Sequence, residues 1–121
     1  MDSNLLGHWG ESLAAEYLRK KGYKILHANY RCRMGEIDLI VQKKKTIVFV
    51  EVKLRKNSDF AQALEFVHSR KQQRIKVAAE LFLAQKDCMD LNARFDVIEV
   101  YAPEGAETKK PQIYHLEDAF Q

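Results

Sequence analysis

Two apolar runs rich in β-branched residues constrain this chain more than any other feature: Gly35-Glu36-Ile37-Asp38-Leu39-Ile40 and Ile47-Val48-Phe49-Val50-Glu51-Val52-Lys53. They are separated by Gln42-Lys43-Lys44-Lys45-Thr46 and read as neighbouring antiparallel strands joined by a polar turn. The second run is apolar on both faces, with Ile47 and Phe49 on one and Val48, Val50, Val52 and Leu54 on the other. A strand of that kind needs cover on both sides. The fold must therefore place a sheet between two further layers.

The length of the turn decides which acids meet. A connection of two or four residues sets Asp38 across from Glu51 and Glu36 across from Lys53, whereas an odd one sends Asp38 and Glu51 to opposite faces. Opposed side chains in such a pair have Cβ atoms roughly 4.5–5.5 Å apart, and like charges there repel. Two carboxylates so placed on a covered sheet require a cation, either an ammonium group or a metal ion.

Around this hairpin the pattern predicts a first helix over Leu5–Lys21, stopped by Gly22, and a strand over Tyr23–Tyr30. Arg31 to Gly35 form the turn into the hairpin, so three strands run as a meander. A polar loop from Leu54 to Asp59 leads to a long helix over Gln62–Gln85, with Val67, Lys71, Ile75, Ala78 and Phe82 along one side. Arg94–Tyr101 is a fourth strand ended by Pro103. Residues 102–121 form a peripheral tail or edge strand, with a flexible turn over Glu104–Pro111 and a strand from Gln112 to Phe120. The order of elements indicates a single α/β domain over 1–121, a sandwich of mixed sheet flanked by helices.

Composition narrows the function classes. A chain of 121 residues with 46% hydrophobic and 31% charged content is ordinary for one globular domain. No run reaches the length of a membrane span, and the amino terminus lacks the basic-then-apolar pattern of a secretory signal, so a cytoplasmic location and no membrane partner are expected. Cys32 and Cys88 are too few for a disulfide framework or a zinc site of their own. A net charge of +3 permits an anionic partner without demanding one.

Several stretches together resemble the YraN-type family of small bacterial proteins. They are Gly10 to Leu18, Gly22-Tyr23, Asn29-Tyr30-Arg31, Gly35 to Ile40, Phe49 to Arg55 and Arg94-Phe95-Asp96-Val97. That family is assigned to the restriction-endonuclease-like superfamily, whose signature is an Asp on one strand and Glu-x-Lys on the next. One departure is visible after Phe60, where the family usually has Gly and this chain has Ala61. The resemblance implies a restriction-endonuclease-like fold and a site for hydrolysing phosphodiester bonds in DNA, including branched or otherwise structured DNA. In that reading Asp38 and Glu51 are ligands of Mg²⁺ or Mn²⁺, with the Val52 carbonyl as a third. Lys53 orients or deprotonates the attacking water, and Glu11 resembles the extra acidic ligand of junction-resolving members.

Arg55, Lys56, Lys71 and Arg74 are placed to meet phosphates of DNA rather than RNA, and a homodimer would suit a symmetric substrate. Plainer readings stand beside these. Lys53 neutralising Glu36 or Glu51 makes a structural cluster, Glu11 serves as a first-turn acid, and Lys71 snorkels over the sheet end. Arg94, Phe95 and Asp96 need only turn and packing roles. His27, His68 and His115 have no ligand spacing. A non-catalytic nucleic-acid-binding module with the same fold is the alternative function.

Overall fold

The computed structural model describes residues 3–56, 69–88 and 90–121, and side chains from residue 5 onward. Its sheet has five strands in sequence order: β1 (Lys24–Cys32), β2 (Gly35–Lys43), β3 (Thr46–Arg55), β4 (Asn92–Tyr101) and β5 (Gln112–Phe120). All neighbours are antiparallel except β3 and β4. That parallel pair is made possible by a crossover containing α2 (Ser69–Gln85). Helix α1 (Ser3–Lys20) precedes the sheet. The mixed α/β sandwich and its opening three-strand meander are as the sequence indicates. Ala61, Val67 and the expected start of the second helix at Gln62 lie outside the described residues.

Each sheet face has its own core. Ile40, Ile47, Phe49 and Val97 pack with Ile75, Ala78, Ala79 and Phe82 of α2. Leu39, Val41, Val48, Val50, Ile98 and Val100 pack with Ala14, Ala15 and Leu18 of α1. The alternation of β3 thus puts one apolar set under each helix, and Ile47 to Val50 are at most 1% exposed. Helix α1 ends in a Schellman arrangement: Gly22 takes φ +94, its N–H donates to the Arg19 carbonyl, and the Tyr23 N–H donates to the Leu18 carbonyl.

The segment after β4 is more ordered than a flexible turn, since Gly105–Glu107 form one 3-10 turn. From there β5 returns as an edge strand, anchored on Asp96, whose carboxylate is fully buried. It accepts hydrogen bonds from Arg94 Nε and Nη2 (2.8 and 2.9 Å), His115 Nε2 (2.7 Å) and the Asp118 N–H (3.0 Å). The acid has no proton to share, so Nε2 of His115 is the donor, and its Nδ1 is hydrogen-bonded with the Tyr17 hydroxyl at 3.1 Å. Arg94 also donates to the Tyr23 hydroxyl. One carboxylate therefore ties β4 to β5 directly and to α1 through His115 and Tyr17. Burial alone would raise its pKa, but the His115, Arg94 and Asp118 hydrogen bonds outweigh that and hold it below the usual range.

Removing one partner of a buried charged network costs roughly 3–5 kcal/mol, whereas an exposed pair such as Lys20–Glu16 contributes about 1 kcal/mol or less. Asp96→Ala is expected to lower the unfolding free energy by about 3 kcal/mol, and Glu16→Ala by less than about 0.5 kcal/mol, both read by urea denaturation.

Candidate metal centre

The hairpin register is the one that brings the acids together. A two-residue turn, Lys44-Lys45, links Lys43 to its partner Thr46, and the ladder runs through Ile40↔Phe49 to Leu39↔Val50. Continued by one step, that register sets Asp38 against Glu51. There the backbone pairing gives way to a side chain: Asp38 Oδ2 accepts the Val52 N–H at 2.8 Å. On the other side of β2, the ladder to β1 passes from Ala28↔Leu39 to Tyr30↔Ile37 across Asn29, which takes φ 55. At Asp38 the side chain thus replaces backbone as the acceptor of the Val52 N–H.

Asp38 and Glu51 are 8% and 6% exposed. Burial first, and then the nearby Glu51 carboxylate, push the Asp38 carboxyl up to about 7, against the lowering effect of the Val52 N–H. The Glu11 carboxylate adds to the rise, which places it within electrostatic reach of Asp38. Glu11 itself sits 3.4 Å from His8 Nδ1 and lines a cavity of about 230 Å³ with Asn29 and Leu39.

Two ammonium groups face Glu51. Lys53 Nζ is 3.8 Å from Oε1, and Lys71, reaching over from α2, contacts the same oxygen directly. The two lysines are displaced in opposite directions. Burial and the neighbouring Lys71 lower the Lys53 pKa, while the hydrogen bond and charge of Glu51 overcome burial and raise that of Lys71. Lys53 is therefore the easier of the two to deprotonate.

The other expected contacts are spread around this centre. Arg55 ends β3 near the buried acid Glu99, whose pKa burial raises against the lowering effect of the Arg55 charge, and Lys56 follows it, exposed. Arg74 lies beside Gly35 and Glu36 in a cavity of about 550 Å³ that also reaches Arg70, Lys71 and Ile75. Sequence reasoning passed over Arg70, and also Glu99, which is 2% exposed with Oε2 lacking a hydrogen-bond partner. The available signal for Glu99 was an acid flanked by Ile98 and Val100 in an apolar strand.

Among the described residues, no group of three His, Cys, Asp or Glu side chains is gathered to hold a metal ion. Mg²⁺, however, binds through one or two carboxylates while keeping several waters, so two acids suffice. The hard oxygen donors of Asp38 and Glu51 suit Mg²⁺ or Mn²⁺ rather than a softer metal. In a strand, one residue's N–H and C=O point to the same side. The Val52 N–H faces Asp38, so the Val52 carbonyl is turned to that side too.

Residues 10–100 match a family model described as uncharacterised protein family UPF0102. The chain belongs to that family. Similar members include UPF0102 proteins of Caldanaerobacter subterraneus subsp. tengcongensis (44% identity over 99% of this chain and 98% of the relative) and Geotalea daltonii (44%, 98% and 91%). One of Geobacter metallireducens is 46% identical over 96% of this chain and 92% of its own. As a UPF0102 protein the chain is similar to these over nearly its full length, including both arms of the hairpin.

The raised Asp38 pKa has a thermodynamic consequence with a definite sign. Between about pH 4 and 7 the folded state binds more protons at this site than the unfolded one, so stability falls as pH rises through that window. Asp38→Asn, which keeps an acceptor for the Val52 N–H, is expected to be more stable than the wild type by on the order of 2–4 kcal/mol at pH 8. The difference should vanish near pH 4, as measured by thermal and urea unfolding without divalent ions.

Proposed function

We propose that this UPF0102 protein is a metal-dependent endonuclease acting on DNA. The observation that carries the reading is the pair of buried, mutually repelling carboxylates beside a lysine whose pKa is lowered. Asp38, Glu51 and the Val52 carbonyl would hold Mg²⁺ or Mn²⁺, with Glu11 reaching the edge of the same shell. A divalent ion bound there supplies Lewis acidity and makes a water more acidic.

The chain's own residues then divide the remaining work. Lys53, whose pKa burial and Lys71 lower, takes the proton from the attacking water as the water oxygen bonds to phosphorus and the P–O bond to the leaving sugar breaks, the leaving oxygen taking a proton from solvent. Lys71 remains charged and faces the charge on the phosphate. Arg55, Lys56 and Arg74 bind flanking phosphates. A homodimer would let two such centres cut both strands of a symmetric substrate. Among the described residues no helix is long and apolar enough to cross a membrane.

The contact of Lys71 with Glu51 favours a second reading, a non-catalytic DNA-binding module in which the ammonium serves as the permanent counter-charge. Metal titration and cleavage separate the two. Mn²⁺ is expected to raise the melting temperature of the wild type at pH 7.5 but not of Asp38→Ala or Glu51→Ala. It should bind more weakly as pH falls below about 7, because the ligand must lose its proton. With Mg²⁺ or Mn²⁺, branched, single-stranded and duplex DNA are offered in turn. Lys53→Ala is expected to cut at least about 100-fold more slowly than wild type. Wild-type cutting no faster than Lys53→Ala on every substrate would reject the enzyme and leave the binding module.

A further inference from the structure

The cavity of about 550 Å³ between the start of β2 and the start of α2 has a chemistry of its own. Its described lining joins the guanidinium groups of Arg70 and Arg74 and the ammonium of Lys71 to the apolar side chain of Ile75. Lys71 is engaged with Glu51, and Glu36 with Arg31 at 3.1 Å. Arg70 and Arg74 form no ion pair among the described residues, so within that set the pocket offers two uncommitted positive charges. Its size falls within the roughly 300–1,000 Å³ of pockets that bury one small ligand, far too little for a duplex. Guanidinium planes both stack on bases and fork onto phosphates.

Two further observations mark its rim. Gly35 lies so close to α2 that a Cβ there would sit 3.2 Å from Arg74 Cβ, so the missing side chain is what lets strand and helix approach. Beside it, at the tip of the β1–β2 hairpin, Met34 is 52% exposed and neighbours the exposed Arg33. A large apolar side chain presented to solvent on a basic hairpin is suited to enter between base steps and unstack them.

We infer that the pocket receives one unpaired nucleotide of DNA, its base against Ile75 and the arginine planes and its phosphate on Arg70 and Arg74, with Met34 holding open the gap it left. The inference rests on the DNA-binding part of the proposed function and deepens it. The substrate class is DNA carrying an unpaired nucleotide beside the scissile region, because Lys71 belongs both to this pocket and to the Glu51 centre. Fully paired DNA must first lose a stacked base to fill the pocket, and an already unpaired base lacks that penalty.

The test uses the whole chain in EDTA, so that binding is read without turnover. The probes are two otherwise identical duplexes, one fully paired and one with a single bulged 2-aminopurine. The bulged duplex is expected to bind about tenfold more tightly, with a changed 2-aminopurine emission on binding. Arg70→Ala/Arg74→Ala, on the exposed side of α2, should weaken binding to both probes and abolish the preference. Met34→Ser should reduce the preference while leaving the melting temperature unchanged. Equal affinity for the two probes, a preference that survives in the double variant, or no binding to either would overturn the inference. Cleavage of paired DNA with Mn²⁺ alongside equal affinities would leave the nuclease standing without this pocket. A bulge preference without any Mn²⁺-dependent cleavage would do the reverse.

Discussion

Repulsion between Asp38 and Glu51 is the constraint on which the rest of this structure turns. At a separation of roughly 5 Å and an effective dielectric constant of about 20, two such charges repel by about 3 kcal/mol. Burial first, and this repulsion second, push the Asp38 carboxyl up to about 7. The backbone gives them no escape. The two-residue turn fixes the register, and cores under α1 and α2 cover both faces of β3. A slip of one residue would separate the acids but also expose Ile47 and Phe49 on the wrong side. The hydrophobic layers thus hold in place a charge arrangement that is unfavourable by itself and favourable around a cation.

A second buried acid shows what the chain does when a carboxylate is meant to stay quiet. Asp96 is surrounded by donors from Arg94, His115 and Asp118, and its pKa is held down. Asp38 is burdened by two neighbouring carboxylates, and its pKa is driven up. Both sit in apolar strands of one sheet. The difference lies in the second layer of groups, saturating in one case and leaving coordination capacity in the other. Lys71 and Lys53 make up part of that deficit at Glu51, through an ammonium pair whose own repulsion helps depress the Lys53 pKa.

Much of this was legible in the sequence because the informative features were local. The period-two pattern of β3, the Lys44-Lys45 turn and Gly22 each dictate structure within a few residues, and the register follows from turn length. The facing of Asp38 and Glu51 was therefore derivable once an even turn was assumed. The Asp96 network was not, because it joins Tyr17, Tyr23, Arg94 and His115 across nearly the whole chain, and spacing carries no trace of such pairings. Lys71 shows the same limit. Its place on the inward stripe of α2 was readable, but its contact with Glu51 depends on how the helix seats against the sheet. Arg70 escaped notice because an exposed arginine beside a lysine looks like any solvated helix face.

The account reduces to a competition for the space beside Glu51 between an ammonium group and a divalent ion. A crystal of the wild-type protein soaked in Mn²⁺ and read by anomalous scattering decides it directly. The expected result is a peak within about 2.0–2.3 Å of carboxylate oxygens from both Asp38 and Glu51, with Lys71 drawn off its present contact. Crystals at neutral pH or above that show Lys71 still on Glu51, and no anomalous peak at Asp38, would contradict the metal centre and leave the cluster a structural ion pair.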